Sequence, residues 1–165
     1  MIVVSDSSPL ITLARIRQLD LLRDIFGSIV IPTEVHYEVT VAGRGRPGAE
    51  EISKADWIEV QAVPDQTDSS LVQTTAGLGA GERSAILFAK ALSADLLLLD
   101  ELKARRIAQT AGLPIVGCIG ILEAGARAGK ISDLRLVYVD LLKQGIRLEL
   151  VLLRDSLKRL GSADL

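Results

Sequence analysis

Four consecutive leucines, Leu96 to Leu99, constrain the fold more than any other feature of the sequence. A short apolar run without polar interruption is typical of a strand covered on both faces, and such strands occur in parallel sheets flanked by helices. Helical patterns stand on both sides of the run, and Asp100 ends it. The run therefore predicts the central strand of an α/β fold.

Short apolar runs and amphipathic stretches alternate along the rest of the chain. Further strands are predicted at residues 2–4, 29–31, 57–63 and 114–116, with a short one at 147–150. Ser8 is predicted to cap the first helix, with Pro9 at its first position. The other helices are predicted near residues 19–25, 33–41, 49–55, 82–92, 103–111, 119–127, 133–143 and 154–160, with loops at 43–48 and 65–75.

Strand–helix–strand order with short connections predicts a Rossmann-like, three-layer α/β/α sandwich around a central parallel sheet. The length of 165 residues predicts a single domain spanning residues 1–165. The net charge of −2 excludes a polycationic nucleic-acid-binding protein. One cysteine and one histidine exclude a disulfide scaffold and a zinc site rich in either residue. We expect a cytoplasmic protein, because no stretch has the pattern of a targeting signal or of a membrane span.

Acidic side chains follow two of the predicted strands that this topology makes neighbours. Asp6 follows the first strand, Asp100 follows the leucine run, and Glu82 begins the helix before that run. We expect these three carboxylates to converge at the carboxyl edge of the sheet, with Glu38 within reach. Converging carboxylates favour a hard divalent cation such as Mg²⁺ or Mn²⁺, which suits phosphoryl chemistry. The alternative is that each acid caps a helix or is solvated, and this is strongest for Glu82.

The order and spacing of several motifs extend this interpretation over nearly the whole chain. The sequence resembles the PIN-domain ribonucleases, most closely the VapC-like toxins of prokaryotic toxin–antitoxin pairs. The motifs that carry the resemblance are Val3-Val4-Ser5-Asp6-Ser7-Ser8-Pro9, Ile31-Pro32 with Val35 and Glu38, Leu78-Gly79-Ala80-Gly81-Glu82-Arg83-Ser84, Leu98-Leu99-Asp100-Glu101, and Gly117-Cys118-Ile119-Gly120 with Gly129-Lys130-Ile131.

The resemblance implies a metal-dependent endoribonuclease that uses metal-activated water and leaves a 5′-phosphate and a 3′-hydroxyl. It implies a catalytic quartet of Asp6, Glu38, Glu82 and Asp100. Asp6 and Asp100 would be direct ligands of Mg²⁺ or Mn²⁺, Glu82 would complete the metal shell, and Glu38 would orient a water or hold a second ion. An RNA substrate, a small cognate antitoxin and a homodimer are the implied partners.

Three further residues are candidates for supporting roles at this site. Ser7 matches a Ser/Thr position of the family, and Glu101 matches a position where many relatives carry a further acid. Arg105, or its neighbour Arg106, is a candidate for the phosphate-facing rim, although an i, i+4 ion pair between Glu101 and Arg105 is the first explanation. Cys118, in an apolar segment flanked by glycine, is interpreted as a packing residue.

Two other classes of function remain open from the sequence. One is another Mg²⁺-dependent phosphotransfer domain, such as a haloacid dehalogenase phosphatase or a receiver domain. The phosphatase motif requires a second acid shortly after the first, and this sequence lacks it, because Ser7 and Ser8 follow Asp6. The other is a degenerate PIN domain that binds nucleic acid or protein without catalysis. A dinucleotide-binding loop is rejected at residues 43–48, because the GxGxxG match follows a predicted helix and contains Pro47.

Overall fold

The computed structural model describes residues 1–65 and 68–165 and shows a parallel β-sheet between helical layers. The strands of this sheet are β1 (Val3–Ser5), β2 (Ile29–Pro32), β3 (Ile58–Gln61), β4 (Leu96–Leu98) and β5 (Ile115–Val116). Their order is β3-β2-β1-β4-β5, and every neighbouring pair is parallel. The predicted α/β/α sandwich is therefore confirmed, with the leucine run beside the first strand.

Helices connect the strands and cover the sheet. They are α1 (Ser7–Arg15), α2 (Asp20–Phe26), α3 (Thr33–His36), α4 (Ala49–Lys54), α5 (Ser69–Thr74), α6 (Ala80–Ala91), α7 (Leu102–Thr110), α8 (Cys118–Arg127), α9 (Leu134–Lys143) and α10 (Leu150–Arg159). A π-helical turn, Tyr37–Val41, continues α3. Helix α6 packs against β1, β2 and β4, whereas α2 packs against α8, on which α9 and α10 lie. Within the described residues, no helix combines the length and apolar character needed to cross a bilayer.

The first helix begins two residues earlier than its sequence predicts. Asp6, not Ser8, is the N-cap, and its Oδ2 accepts the Ser8 N–H at 3.5 Å. Pro9 then occupies the third helical position, where its missing N–H still leaves no intrahelical bond unmade. The prediction of Ser8 as the cap was wrong because Asp6 is an equally good capping residue and stands directly after the strand.

Two other stretches differ from their predictions. The segment 65–75, predicted to be a loop, contains α5, because Asp68 accepts the N–H groups of Ser70 and Leu71 and the Leu71 side chain is buried; Gln66 and Thr67 lie outside the described residues. Residues 147–150 form no strand, and α10 instead begins at Leu150. A helix forms there instead of a strand because Leu153 and Leu157, spaced four residues apart, are both buried on one helical face.

Replacing Leu153 with alanine tests this placement of α10. Leu153 is fully buried, so Leu153→Ala should lower the free energy of unfolding by about 2–5 kcal/mol. The matched control is Leu150→Ala on the same helix, which should change it by less than about 0.5 kcal/mol because Leu150 is exposed. Urea unfolding followed by circular dichroism measures both values. Equal losses in the two variants would contradict this helical register.

Candidate active site

Two acidic side chains stand at the carboxyl edge of the sheet because β1 and β4 are paired. Ser5 lies opposite Leu98 in the ladder, and the Asp6 N–H donates to the Leu98 carbonyl oxygen at 3.0 Å. The chain leaves β1 at Asp6 and leaves the leucine run at Asp100. Both predicted strand-end acids therefore lie where parallel α/β sheets hold their ligands.

The Asp6 carboxyl is almost entirely buried, with 1% of the residue exposed. Its pKa is raised from 3.8 to about 7, mainly by burial and to a smaller extent by the neighbouring carboxylates of Glu82 and Glu38. Backbone N–H groups of Ser7 and Ser8 oppose the shift without cancelling it. Glu38 and Glu82 thus lie near enough to Asp6 to influence its pKa, whereas the convergence of Asp100 with these three carboxylates stays a prediction.

Glu38 reaches this group from the π-helical turn. The Ala42 N–H donates to the Tyr37 carbonyl oxygen at 2.9 Å, so the turn holds one residue more than an α-helical turn. Glu38 accepts hydrogen bonds from Ser7 Oγ at 2.5 Å and from the Gly81 N–H at 2.8 Å. A Cβ on Gly81 would overlap the Glu38 carboxylate, so glycine is required for this close approach. Ser7, a predicted supporting residue, therefore positions Glu38.

Glu82 lies half-buried in the first turn of α6. Its Oε2 accepts the Gly79 N–H at 3.2 Å, so part of its role is to cap the helix. The negative charge of Glu82 also contributes to the raised pKa of Asp6. The capping alternative is therefore correct for Glu82, and its place in the site stays a prediction.

Asp100 is held by the beginning of α8. Its Oδ1 accepts the Cys118 N–H at 2.7 Å, and its Oδ2 lies 2.9 Å from Cys118 Sγ. Burial and the neighbouring Asp100 raise the pKa of the Cys118 thiol well above its usual value, so the thiol keeps its proton and donates it. A Cβ on Gly117 would lie 2.7 Å from Asp100 Oδ1, so a side chain there would displace the carboxylate.

Glu101 and Arg105 each form a hydrogen bond with the backbone rather than an ion pair with each other. Glu101 is exposed and caps α7, because its Oε2 accepts the Ala104 N–H at 2.7 Å. Arg105 Nη1 donates to the Leu99 carbonyl oxygen at 2.7 Å. Within the described residues, Glu101 and Arg105 do not form the expected ion pair, because each side chain is hydrogen-bonded to the backbone.

The donor set of this edge fits a hard divalent cation. Asp6, Glu38, Glu82 and Asp100 supply only carboxylate oxygens, and none of them forms an ion pair with a basic residue in the described part of the chain. Across residues 1–65 and 68–165, no three His, Cys, Asp or Glu side chains are arranged as a ready metal cage. Mg²⁺ needs no such cage, because it binds proteins through one or two carboxylates and keeps several waters. The buried charge of Asp6 is the feature that a cation would stabilise most.

Comparison with known families decides the identity of the fold. The family model DUF3368, described as a PIN domain, matches residues 2–162. The chain belongs to the PIN-domain family. No curated protein matches this chain. PIN domains have a nuclease-type fold and generally depend on divalent metal ions, which agrees with the oxygen-only donor set. Membership excludes the haloacid dehalogenase phosphatases and receiver domains as alternatives.

The sequence does not reveal the role of Cys118 at the edge of this PIN domain. Its interpretation as a packing residue is correct, since only 1% of it is exposed. Its contact with Asp100 was missed, because nothing in an apolar segment marks a thiol as a hydrogen-bond donor to a distant carboxylate. Only its position in the sequence could have indicated this contact, because Gly117 and Cys118 directly follow β5, at the same edge of the sheet as Asp6 and Asp100.

The raised pKa of Asp6 predicts how the stability of the metal-free protein depends on pH. Between about pH 4 and 7 the folded protein holds a proton that the unfolded chain has released, so stability falls as the pH rises. At pH 8, Asp6→Asn should therefore raise the free energy of unfolding by about 2–4 kcal/mol, since one pKa unit corresponds to about 1.4 kcal/mol. Asparagine keeps the helix cap.

Urea unfolding in EDTA at pH 8 and pH 4 measures this difference for both proteins. At pH 4 the Asp6 carboxyl is neutral in the folded state, so wild type and Asp6→Asn should be about equally stable. The same gain at both pH values would show that the ionised carboxylate is not its source.

Proposed function

We propose that this PIN domain is a metal-dependent endoribonuclease that hydrolyses RNA phosphodiester bonds. The observation that supports this most is the buried carboxyl of Asp6, whose pKa is raised to about 7 by burial and by Glu82 and Glu38. A buried acid surrounded by further acids destabilises the fold unless it takes up a proton or a cation joins it. Functional sites commonly contain groups perturbed in this way.

The proposal assigns one role to each residue of the quartet. Asp6 and Asp100 are direct ligands of Mg²⁺ or Mn²⁺, and Glu82 completes the set directly or through water. When bound, the ion polarises a phosphate oxygen and lowers the pKa of a coordinated water. Glu38 is the residue that orients the attacking water, because Ser7 and Gly81 hold its carboxylate in place.

Asp100→Asn tests the catalytic role of Asp100, with a control variant at the other end of β4. Asp95 lies just before β4 and accepts the Ile2 N–H, so Asp95→Asn changes the same charge at the opposite end of the strand. In Mg²⁺ or Mn²⁺, Asp100→Asn should lose at least about 100-fold in the rate of RNA cleavage, whereas Asp95→Asn should stay within about twofold of wild type. Gel analysis of an end-labelled RNA gives both rates.

Two further outcomes decide the metal dependence and the assignment. EDTA should stop cleavage by wild type, and added Mn²⁺ should restore it. Asp95→Asn should unfold within about 1 kcal/mol of wild type. Asp100→Asn keeps one oxygen to accept the Cys118 N–H and should lose no more than about 3 kcal/mol, so that it remains folded in the assay. Cleavage by Asp100→Asn at the wild-type rate would remove Asp100 from the site.

We further propose that the protein is the toxin of a toxin–antitoxin pair, acting as a cytoplasmic homodimer and neutralised by a small antitoxin. The resemblance to VapC-like proteins supports this, since its motifs run from Val3 to Ile131. The family match over residues 2–162 supports treating the chain as one PIN domain.

Expression in a bacterial host tests the toxin role. Induced wild type should arrest growth, and induced Asp100→Asn should not, because arrest would depend on RNA cleavage. Co-expression of a short reading frame adjacent to the gene should restore growth, as measured by colony counts. Equal arrest by wild type and Asp100→Asn would point to an effect other than cleavage.

A non-catalytic binding module is the second candidate function. It is favoured by the protein donors that already satisfy Glu82 and Asp100, at the Gly79 N–H and at Cys118. The cleavage assay separates the two functions, because a binding module would retain RNA on a filter in Mn²⁺ without shortening it.

A further inference from the structure

A groove beside Asp100 is not used by the proposed hydrolysis. It has a volume of about 500 Å³ and lies between the beginnings of α7, α8 and α10, with Asp100 in one wall. This volume is within the range of roughly 300–1,000 Å³ that is typical of small-molecule sites. We name it the Asp100 groove and define it by Asp100, Leu102, Arg105, Ile119, Arg147 and Leu152.

Two arginines give the groove donors for an anion. The Arg105 guanidinium is fixed by the Leu99 carbonyl oxygen, which uses one of its five N–H groups. Arg147 is exposed on the segment before α10. Neither arginine is in an ion pair within the described part of the chain. Although Glu149 also lines the groove, two guanidinium groups beside Asp100 provide phosphate donors next to the candidate metal ligand.

Apolar side chains form the remaining walls. Leu102 is 61% exposed and Leu152 is 47% exposed, and both line the groove together with the half-buried Ile119. An apolar wall next to guanidinium groups matches the two halves of a nucleotide, because the flat faces of a base are apolar and its phosphate is anionic. A purely apolar occupant would instead remove both arginines from water without a partner.

We infer that the Asp100 groove binds one unstacked nucleotide of the RNA, next to the phosphate that is cleaved. The inference rests on the proposed ribonuclease function and adds to it a subsite. The base lies against Leu102, Ile119 and Leu152, and a phosphate oxygen accepts hydrogen bonds from Arg105 or Arg147. Because the groove contacts a base, it contributes to the nucleotide preference of cleavage.

Binding without metal tests the subsite independently of catalysis. The probe is a fluorescein-labelled, single-stranded oligoribonucleotide of mixed sequence, titrated with protein in EDTA and followed by anisotropy. Leu152→Ala should weaken binding by about threefold to tenfold, because it removes apolar contact area with the base. The control is Leu150→Ala on the same helix, which removes a leucine of nearly equal exposure (49%) outside the groove and should bind like wild type.

The contribution of Arg147 is separated by its salt dependence. Arg147→Gln should lower the slope of log Kd against log salt concentration by about 0.7, the value for one phosphate contact on a single strand. Arg154→Gln makes the same charge change on α10 outside the groove and should leave the slope unchanged. In Mn²⁺, Leu152→Ala should also alter the relative cleavage rates at the four nucleotides.

The outcomes distinguish failure of the subsite from failure of the nuclease. If wild type cleaves RNA while Leu152→Ala and Arg147→Gln match their controls in affinity and nucleotide preference, the subsite is wrong and the ribonuclease stands. If wild type neither binds nor cleaves RNA, the proposed function fails and the subsite with it. If Leu152→Ala changes the molar mass by light scattering but not the RNA affinity, the groove is a contact between copies of this chain.

Discussion

The pairing of β1 with β4 is the contact on which the candidate site depends. It places Ser5 opposite Leu98 and directs the Asp6 N–H to the Leu98 carbonyl oxygen, so the chain must deliver Asp6 at the carboxyl edge of the sheet. The same pairing buries the leucine run between helical layers. The pairing that stabilises the sheet thus also places Asp6 at an edge where its carboxyl is buried.

Burial of Asp6 opposes stability in the metal-free protein. A carboxylate in this position loses its hydration and faces Glu38 and Glu82, and its pKa rises accordingly to about 7. The rest of the chain offsets this with a continuous core in which Leu10, Leu13 and Leu97 are fully buried. Strain of this kind is common at functional sites, where the charge arrangement suits a ligand better than it suits the empty fold.

The parts of the fold that follow from local pattern were predictable, and the parts that follow from tertiary contacts were not. The leucine run and the acids after two strands predicted the sheet and the place of Asp6 and Asp100. The direction of Glu38 depends on the π-helical turn, and that of Asp100 on Cys118, which no local pattern marks. Glu101 was expected to pair with Arg105, but its carboxylate instead accepts the backbone N–H of Ala104.

Asp100 links the two halves of the proposed site. Both oxygens of its carboxylate accept hydrogen bonds from Cys118 at the N-terminus of α8, and Asp100 also forms a wall of the groove that contains Arg105. Arg105 in turn is fixed by the Leu99 carbonyl oxygen, one residue before Asp100. A phosphate bound by Arg105 is thereby placed relative to Asp100 by the backbone at the end of the leucine run. Rigid backbone, rather than flexible side chains, would then set the register between the bound nucleotide and the bond that is cleaved.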